Sequence, residues 1–232
     1  LDLNGYDALA KIKILSSLSF NNKISQVNSL MEGIENIDLK DIKMANQLNL
    51  RIKLLGISEI IDGKLFERVH PCLVRKDSYI GNVKGVMNVV ITEGKPVGET
   101  VLQGEGAGPG PTSSALMSDL LSILRGNIKY PFGIPSDKRK IIKTYSYDNY
   151  ENSLYIRCEV KDKPGVLAKI TNTLASNKIS IERLIQIPDK KLKRASIIVI
   201  THKSKEIDAQ KSIKRIYKDS NVIKIPTLIR LF

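Results

Sequence analysis

Apolar positions over residues 6–20 fall three and four apart, at Ala8, Ile12, Leu15 and Leu18. This is the spacing of one helical face and predicts a helix over Tyr6–Phe20, with Asn4 ahead of Gly5 as its cap. IDLKDIKMANQLN repeats the pattern, with Ile37, Ile42 and Ala45 among charges, and predicts a second helix. Beyond Arg51 the period shortens. RIKLLGISEI, KLFERVHPCLV and VMNVVITEG read as antiparallel strands, separated by turn signals at Asp62-Gly63 and at Asn82 with Gly85. A fourth strand, PVGETVLQG, runs into the glycine-rich GEGAGPGPTSS. An apolar helix over Ala115–Leu124 follows, closed by Gly126, and the prolines at 131 and 135 end the region.

Residues 136–150, SDKRKIIKTYSYDNY, carry charge and aromatics without a period, as a linker or connecting strand does. A tighter pattern then begins. SLYIRCEVK reads as a strand, KPGVLAKITNTLASN as a helix with Pro164 in its first turn, and ISIERLIQIP and RASIIVITH as strands. SKEIDAQKSIKRIYKDS reads as a helix capped by Ser204, and VIKIPTLIRLF as a final strand. The order β-α-β-β-α-β predicts two right-handed split crossovers, with both helices on one face of a four-stranded sheet. The expected fold class is α+β. A domain with a mixed or antiparallel sheet spans 1–135, a linker 136–150, and a ferredoxin-like βαββαβ module 151–232.

With 42% apolar and 26% charged residues in 232, the chain can bury a core, and disorder is excluded. The net charge of +13 is uneven: residues 1–135 carry 15 basic and 14 acidic side chains, residues 136–232 carry 22 and 10. Clustered cations invite a nucleic-acid reading. Against it, aromatics are only 5% of the chain, and the central strands of the second module offer Tyr155 alone as a stacking platform. Lysines scattered over solvated faces are the favoured account, and KKLKR at 190–194 reads as a solvated hairpin. Cys72 and Cys158 lie far apart without partners at metal-ligand spacing, so neither a metal site nor a disulfide is expected, and a reducing, cytoplasmic setting fits. His70 and His202 read as structural or surface residues. No uncharged apolar stretch has a bilayer's width, and Asp2 stands where a basic leader would be. Leu1 is not an initiator methionine, and the expectation is a soluble piece of a longer protein.

Asp7 and Lys11 are four apart, so their side chains share a helix face. Spacing alone describes an exposed ion pair worth a few tenths of a kcal/mol. The surrounding string says more. GYDALAKIKIL, preceded by Asp2-Leu3-Asn4, resembles the homoserine dehydrogenase signature, in which an acidic residue, a Gly, an Asp and a Lys four further on follow a nucleotide-binding domain. GEGAGPGPTSSALMSDL is similar to that family's second signature, a GxGAG loop before a Pro-Thr and a helix, and the intervening MEGIENID resembles its substrate domain. The resemblance covers residues 1–130. IRCEVKDKPGVLAKITNTLASNKISIERLIQI resembles an ACT domain, a module that senses amino acids at paired interfaces.

The first resemblance implies NAD(P)-dependent interconversion of L-aspartate 4-semialdehyde and L-homoserine, in threonine, methionine and isoleucine biosynthesis. Lys11 would be the catalytic acid, giving a proton to the aldehyde oxygen as hydride arrives and stabilising the developing alkoxide. A carboxylate beside it favours the ammonium form, which suits the aldehyde-reducing direction. Asp7 and Asp2 would bind substrate, and Gly106, Ala107, Gly108 and Thr112 would meet the nicotinamide end of the cofactor. Glycines at 104, 106 and 108 permit that close approach. The family's nucleotide-binding domain and a substrate-gripping Glu belong ahead of residue 1, so this stretch alone is expected to bind NAD(P) poorly and to be inactive. The second resemblance implies an amino-acid effector, threonine being favoured, at the Asp162-Lys163-Pro164-Gly165 turn, with Gly165 and Gln186 as contacts. A homodimer or tetramer is implied, with no nucleic acid and no membrane as partner. The alternatives are a non-catalytic amino-acid-binding regulator and an RNA-binding module.

Overall fold

The structure is a computed structural model that describes residues 3–24, 29–127, 130 and 134–232. Its centre is one seven-stranded sheet. β2 (Leu50–Ile61) and β3 (Lys64–Arg75) form a long hairpin, paired from Leu50 with Arg75 to Ile61 with Lys64. Asp62 and Gly63 turn it with φ of 49° and 69°, the two positive values that a two-residue turn requires. The other edge of β3 receives two parallel partners end to end: β1 (Leu30–Met31) beside Arg68 and Val69, and β11 (Thr227–Leu231) beside Cys72 and Leu73. Beyond β11 come β7 (Leu154–Lys161), β9 (Arg194–Thr201) and β8 (Ile181–Asp189), all antiparallel. The βαββαβ module is therefore joined to the first region by main-chain hydrogen bonds, and one sheet serves both.

Alternation along the strands sets the two faces. Leu154, Ile156, Cys158, Val160, Ile197 and Val199 point to one side, where α5 (Val166–Ser176) and α6 (Glu206–Tyr217) cover them with Ile170, Leu174, Ala209, Ile213 and Ile216. Tyr155, Ile198, Ile229 and Leu73 point to the other, under Met44 and Ala45 of α2 (Leu39–Gln47). α1 (Tyr6–Phe20) lies over β2 and β3, and a Cβ on Gly56 would come within 3.1 Å of Ile12 Cβ, so glycine sets its close approach. α2 carries a full capping box: Asp38 accepts from the Lys40 and Asp41 N–H groups, and Asp41 accepts from the Asp38 N–H. The segment expected as a linker lies along β3, with Leu65 N–H bonded to Lys143 O and Tyr145 N–H to Leu65 O, and its tyrosines pack on Phe66.

A short helix α3 (Tyr79–Asn82) precedes a separate hairpin of β4 (Met87–Gly94) and β5 (Gly98–Glu105), and α4 (Pro109–Leu124) follows. α4 starts six residues before the Ala115 expected from apolar spacing. Pro109 occupies its first position, where a missing N–H costs nothing, and the helix buries none of its residues. Two further expectations are corrected. Pro164 lies outside α5, whose N-cap is Gly165, because Gly165 adopts φ 84°. Ser204 does not cap α6; with Lys205 it forms β10 (Ser204–Lys205), paired with β6 (Glu151–Asn152), and Lys205 takes the cap position. The last strand is shorter than VIKIPTLIRLF, since Pro226 cannot donate to a ladder.

His70 and Cys72 are fully buried on the face shared with α6. Burial, with Arg230 and Arg68 adding to it, pushes the His70 imidazole down to about 3 from 6.5. The unfolded chain then binds more protons between those values, so this group's contribution falls as pH drops from about 6.5 toward 3. Asp38 acts lower. Desolvation works to raise it, but the Lys224 hydrogen bond and the Arg157 charge hold it at about 2, so its contribution is present above about 4 and is lost as pH falls toward 2. Burial raises Glu67, which works in the opposite sense. The His70 effect is therefore read as the difference between wild type and His70→Asn in urea midpoints from pH 7 to 3. A gap that narrows steadily as pH falls is expected, and a constant gap would contradict it.

Candidate active site and effector pocket

α1 begins from an unusual cap. Gly5 sits in the left-handed region at φ 87° with no side-chain cap bond, so Asn4 does not cap the helix. The reason is a contact distant in sequence. The Ile34 N–H donates to Leu3 O at 2.8 Å, and a Cβ on Gly33 would fall 2.2 Å from that same oxygen. The MEG segment thus fixes the backbone of Leu3 and Asn4, and the chain can enter α1 only through a positive φ that glycine accepts.

Two turns of α1 then display Asp7 and Lys11. Lys11 Nζ donates to Asp7 Oδ2 at 2.6 Å, with the two side chains 61% and 46% exposed. Both side chains are open to solvent. Asp2 lies outside the described residues.

The glycine-rich loop is built differently. A Cβ at Gly106 would sit 1.5 Å from Asn88 Nδ2 on β4, so a larger residue there would have to turn the exposed Asn88 side chain aside. Gly108, at φ 126°, is the N-cap of α4; a Cβ would meet only Pro111 Cδ at 3.6 Å, so its outer face is open. Ala107 and Thr112 are exposed, and the Thr112 N–H is spent on Gly108 O. With Pro109 and Pro111 in the first turn, α4 presents few N–H groups to a diphosphate. Among the described residues no hydrogen bond or ion pair joins Asp7 or Lys11 to residues 104–112, and the β4–β5 hairpin and α4 share no extensive contact with other elements.

The βαββαβ module has a cavity of about 400 Å3 at the end of β7, lined by Lys161, Asp162, Pro164, Gly165, Gln186 and Ile197 among others. Gly165 and Gln186 are brought to one wall, with Gln186 Nε2 3.5 Å from Asp162 Oδ1. Tyr155 is not available for stacking: it is buried beneath α2 and donates to Asp41 at 3.0 Å.

Two arginines missed by motif reading join the regions. Arg157 donates to Asp41 Oδ1 at 2.6 Å and Oδ2 at 2.8 Å, to Asp38 at 2.7 Å and to Glu159 at 2.7 Å. Arg230 grips Glu32 of the MEG segment with both terminal nitrogens, and Glu206 at the start of α6 at 2.6 Å. A lone arginine inside LYIRCEV and another inside TLIRLF were the available signal, since a buried cation demands a partner.

A sequence model of the family described as homoserine dehydrogenase matches residues 1–121. The chain belongs to the homoserine dehydrogenase family. An ACT domain matches residues 154–220. A homoserine dehydrogenase from Neisseria gonorrhoeae is 34% identical over 243 residues, covering 99% of this chain and 54% of that protein. One from Helicobacter pylori is 33% identical over 230 residues, with the same coverage. The crystal structure of a homoserine dehydrogenase from Thiobacillus denitrificans superposes with a TM-score of 0.87 at 33% identity, over all of this chain and 54% of that one. One from S. aureus gives 0.66 at 27% identity, likewise over 100% and 54%. The chain spans about half the length of the curated relatives it matches. In this homoserine dehydrogenase family member the ACT module is thus built into the sheet that carries α1.

Proposed function

We propose that this chain, within a protein of its relatives' length, serves the NAD(P)-dependent reduction of L-aspartate 4-semialdehyde to L-homoserine. The observation that carries the reading is the exposed Asp7–Lys11 pair at the start of α1, in a chain of the homoserine dehydrogenase family. Lys11 donates its Nζ proton to the aldehyde oxygen, so that the carbonyl becomes a hydroxyl, and its charge stabilises that oxygen while negative charge develops. Asp7 attracts the substrate's ammonium and holds Lys11 in place. A nicotinamide cofactor, when bound, would supply the hydride that reduces the aldehyde carbon. Gly108, whose outer face is open, would meet the nicotinamide end, with Gly106, Ala107 and Thr112 around it. Two buried cysteines that form no disulfide accord with a cytoplasmic setting, and a homodimer or tetramer completes the reading. The test is semialdehyde-dependent oxidation of NADPH or NADH by the full-length enzyme: turnover is expected, and none with either cofactor would refute the proposal.

The 400 Å3 cavity supports feedback by threonine. The open cleft has room for an amino acid, and the left-handed Gly165 leaves the α5 N-terminus open to a carboxylate. Millimolar threonine should raise the melting temperature of the wild-type chain by a few degrees through linkage, and Gln186→Ala should reduce the rise. A flat response to threonine in the wild type would remove it as effector.

A further inference from the structure

The contacts of Arg230 reach further than the join between regions. β11 lies between β3 and β7, with Arg230 beside Cys72 on one edge and Leu154 on the other. Its side chain is 1% exposed, and so is that of Glu206, whereas Glu32 is 34% exposed. Glu206 is occupied besides: its Oε1 accepts from Gln210 Nε2 at 2.8 Å, and its N–H donates to Tyr150 O. Arg230 is therefore anchored in the ACT module on the Glu206 side. On the Glu32 side it holds a segment with few restraints of its own, since β1 is only two residues long.

That segment carries the start of α1. Glu32 N–H donates to Val69 O at 2.8 Å, Gly33 lies against Leu3 O and Asn4, and Ile34 N–H bonds Leu3 O. Gly5 rests on the same surface, its missing Cβ facing Val69 Cγ1 at 3.2 Å, Met31 Cγ at 3.4 Å and Glu32 O at 3.6 Å. The first hydrogen bond of α1, from Leu9 N–H to Gly5 O, starts from this turn, and Asp7 and Lys11 follow within two turns. We propose that Arg230 is a positioning residue for the Asp7–Lys11 pair, acting through Glu32 and the Gly33–Leu3 contact to fix where α1 begins. The ACT module then supplies part of the mount of the catalytic helix and does more than carry an effector pocket. The inference rests on the role of Lys11 proposed above.

The linkage is chosen by charge geometry. A guanidinium spans two carboxylates with fixed bidentate geometry, and a lysine in its place reaches only one of them well. Displacing α1 by a fraction of an ångström leaves the fold intact but moves the acid relative to the aldehyde oxygen, and misplacement on that scale costs rate far more than stability.

The experiment uses three variants, each in the full-length enzyme: Glu32→Gln, which keeps shape and removes charge, Arg230→Lys, and Gly33→Ala, which strikes the mount without touching the arginine. Amide hydrogen exchange is followed in peptides covering residues 3–15 and, as a control for general loosening, 154–161. The expected result is exchange about tenfold faster in 3–15 with 154–161 unchanged, and kcat lowered about 10- to 100-fold while KM for the nicotinamide cofactor stays within twofold. Arg230→Lys should fall between wild type and Glu32→Gln. Exchange in 3–15 equal to wild type in Glu32→Gln and Gly33→Ala would overturn the proposal, as would unchanged kcat in both. Lys11→Ala is assayed alongside. If it retains turnover, the catalytic reading of Lys11 is wrong, and the exchange data still decide whether Arg230 mounts α1.

Discussion

Asp41→Ala should destabilise the chain by about 3–5 kcal/mol, the cost of leaving a buried cation without its principal partner. Asp41 is fully buried and accepts from Arg157 Nε and Nη2, from the Tyr155 hydroxyl and from the Asp38 N–H. Its loss takes a partner from two side chains, Arg157 and Tyr155, and removes half a capping box at once. Asp38 and Glu159 remain on Arg157, which places the effect toward the lower end of the range. For a chain of this length the expected drop in melting temperature is about 10 °C. The double variant Asp41→Leu with Arg157→Met should recover most of it, because replacing both partners of a buried pair removes the uncompensated charge. Equal destabilisation in the single and double variants would show that α2 docks by its apolar face, Met44 and Ala45, and not by the ion pair.

Lys11→Ala should have the largest effect on activity. Removing a positioned acid costs about 10²- to 10⁴-fold, and the same group here also stabilises the developing oxyanion, so a fall in kcat of about 10³-fold or more is expected in the full-length enzyme. The folded chain should be indifferent, since the Asp7–Lys11 pair is an exposed contact on the helix surface. Asp7→Ala should separate from it in steady-state kinetics. Its expected signature is KM for the semialdehyde raised about tenfold with a smaller change in kcat, because attraction of the substrate's ammonium is uniform binding.

Much of the architecture is local in origin and could be read from spacing. The 3.6-residue period of α1, the Asp62-Gly63 hairpin and the βαββαβ order each depend on residues near one another in the chain. What could not be read depends on partners far apart. β3 and β11 pair across more than 150 residues with only Cys72, Leu73, Arg230 and Leu231 in register, and no pattern in either strand announces the match. β1 is too short for any period to show. Asn4 has the chemistry of a cap for α1, but Gly33 dictates its backbone. α4 is longer than its apolar run because its first six residues, PGPTSS, offer prolines, a glycine and hydroxyls and no apolar period to count.

The candidate site divides in the same way. The four-residue interval between Asp7 and Lys11 guarantees a shared face, and the strand-turn-helix at Gly165 guarantees an open helix N-terminus. That Gln186 reaches the wall of the same cavity follows from strand order, which the βαββαβ pattern implies. The acidic partners of Arg157 and Arg230 were hidden. Asp41 and Glu32 look like ordinary polar residues of a helix and a loop, and only the fold places them against the ACT strands.

The most direct test is rapid mixing of the full-length enzyme, preloaded with NADPH or NADH, whichever supports turnover, with aspartate semialdehyde, following loss of the reduced nicotinamide in a single turnover. Wild type should transfer hydride in one fast phase, and Lys11→Ala should slow that phase by about 10³-fold while its affinity for the cofactor is unchanged. A hydride-transfer rate in Lys11→Ala within tenfold of wild type would contradict the account.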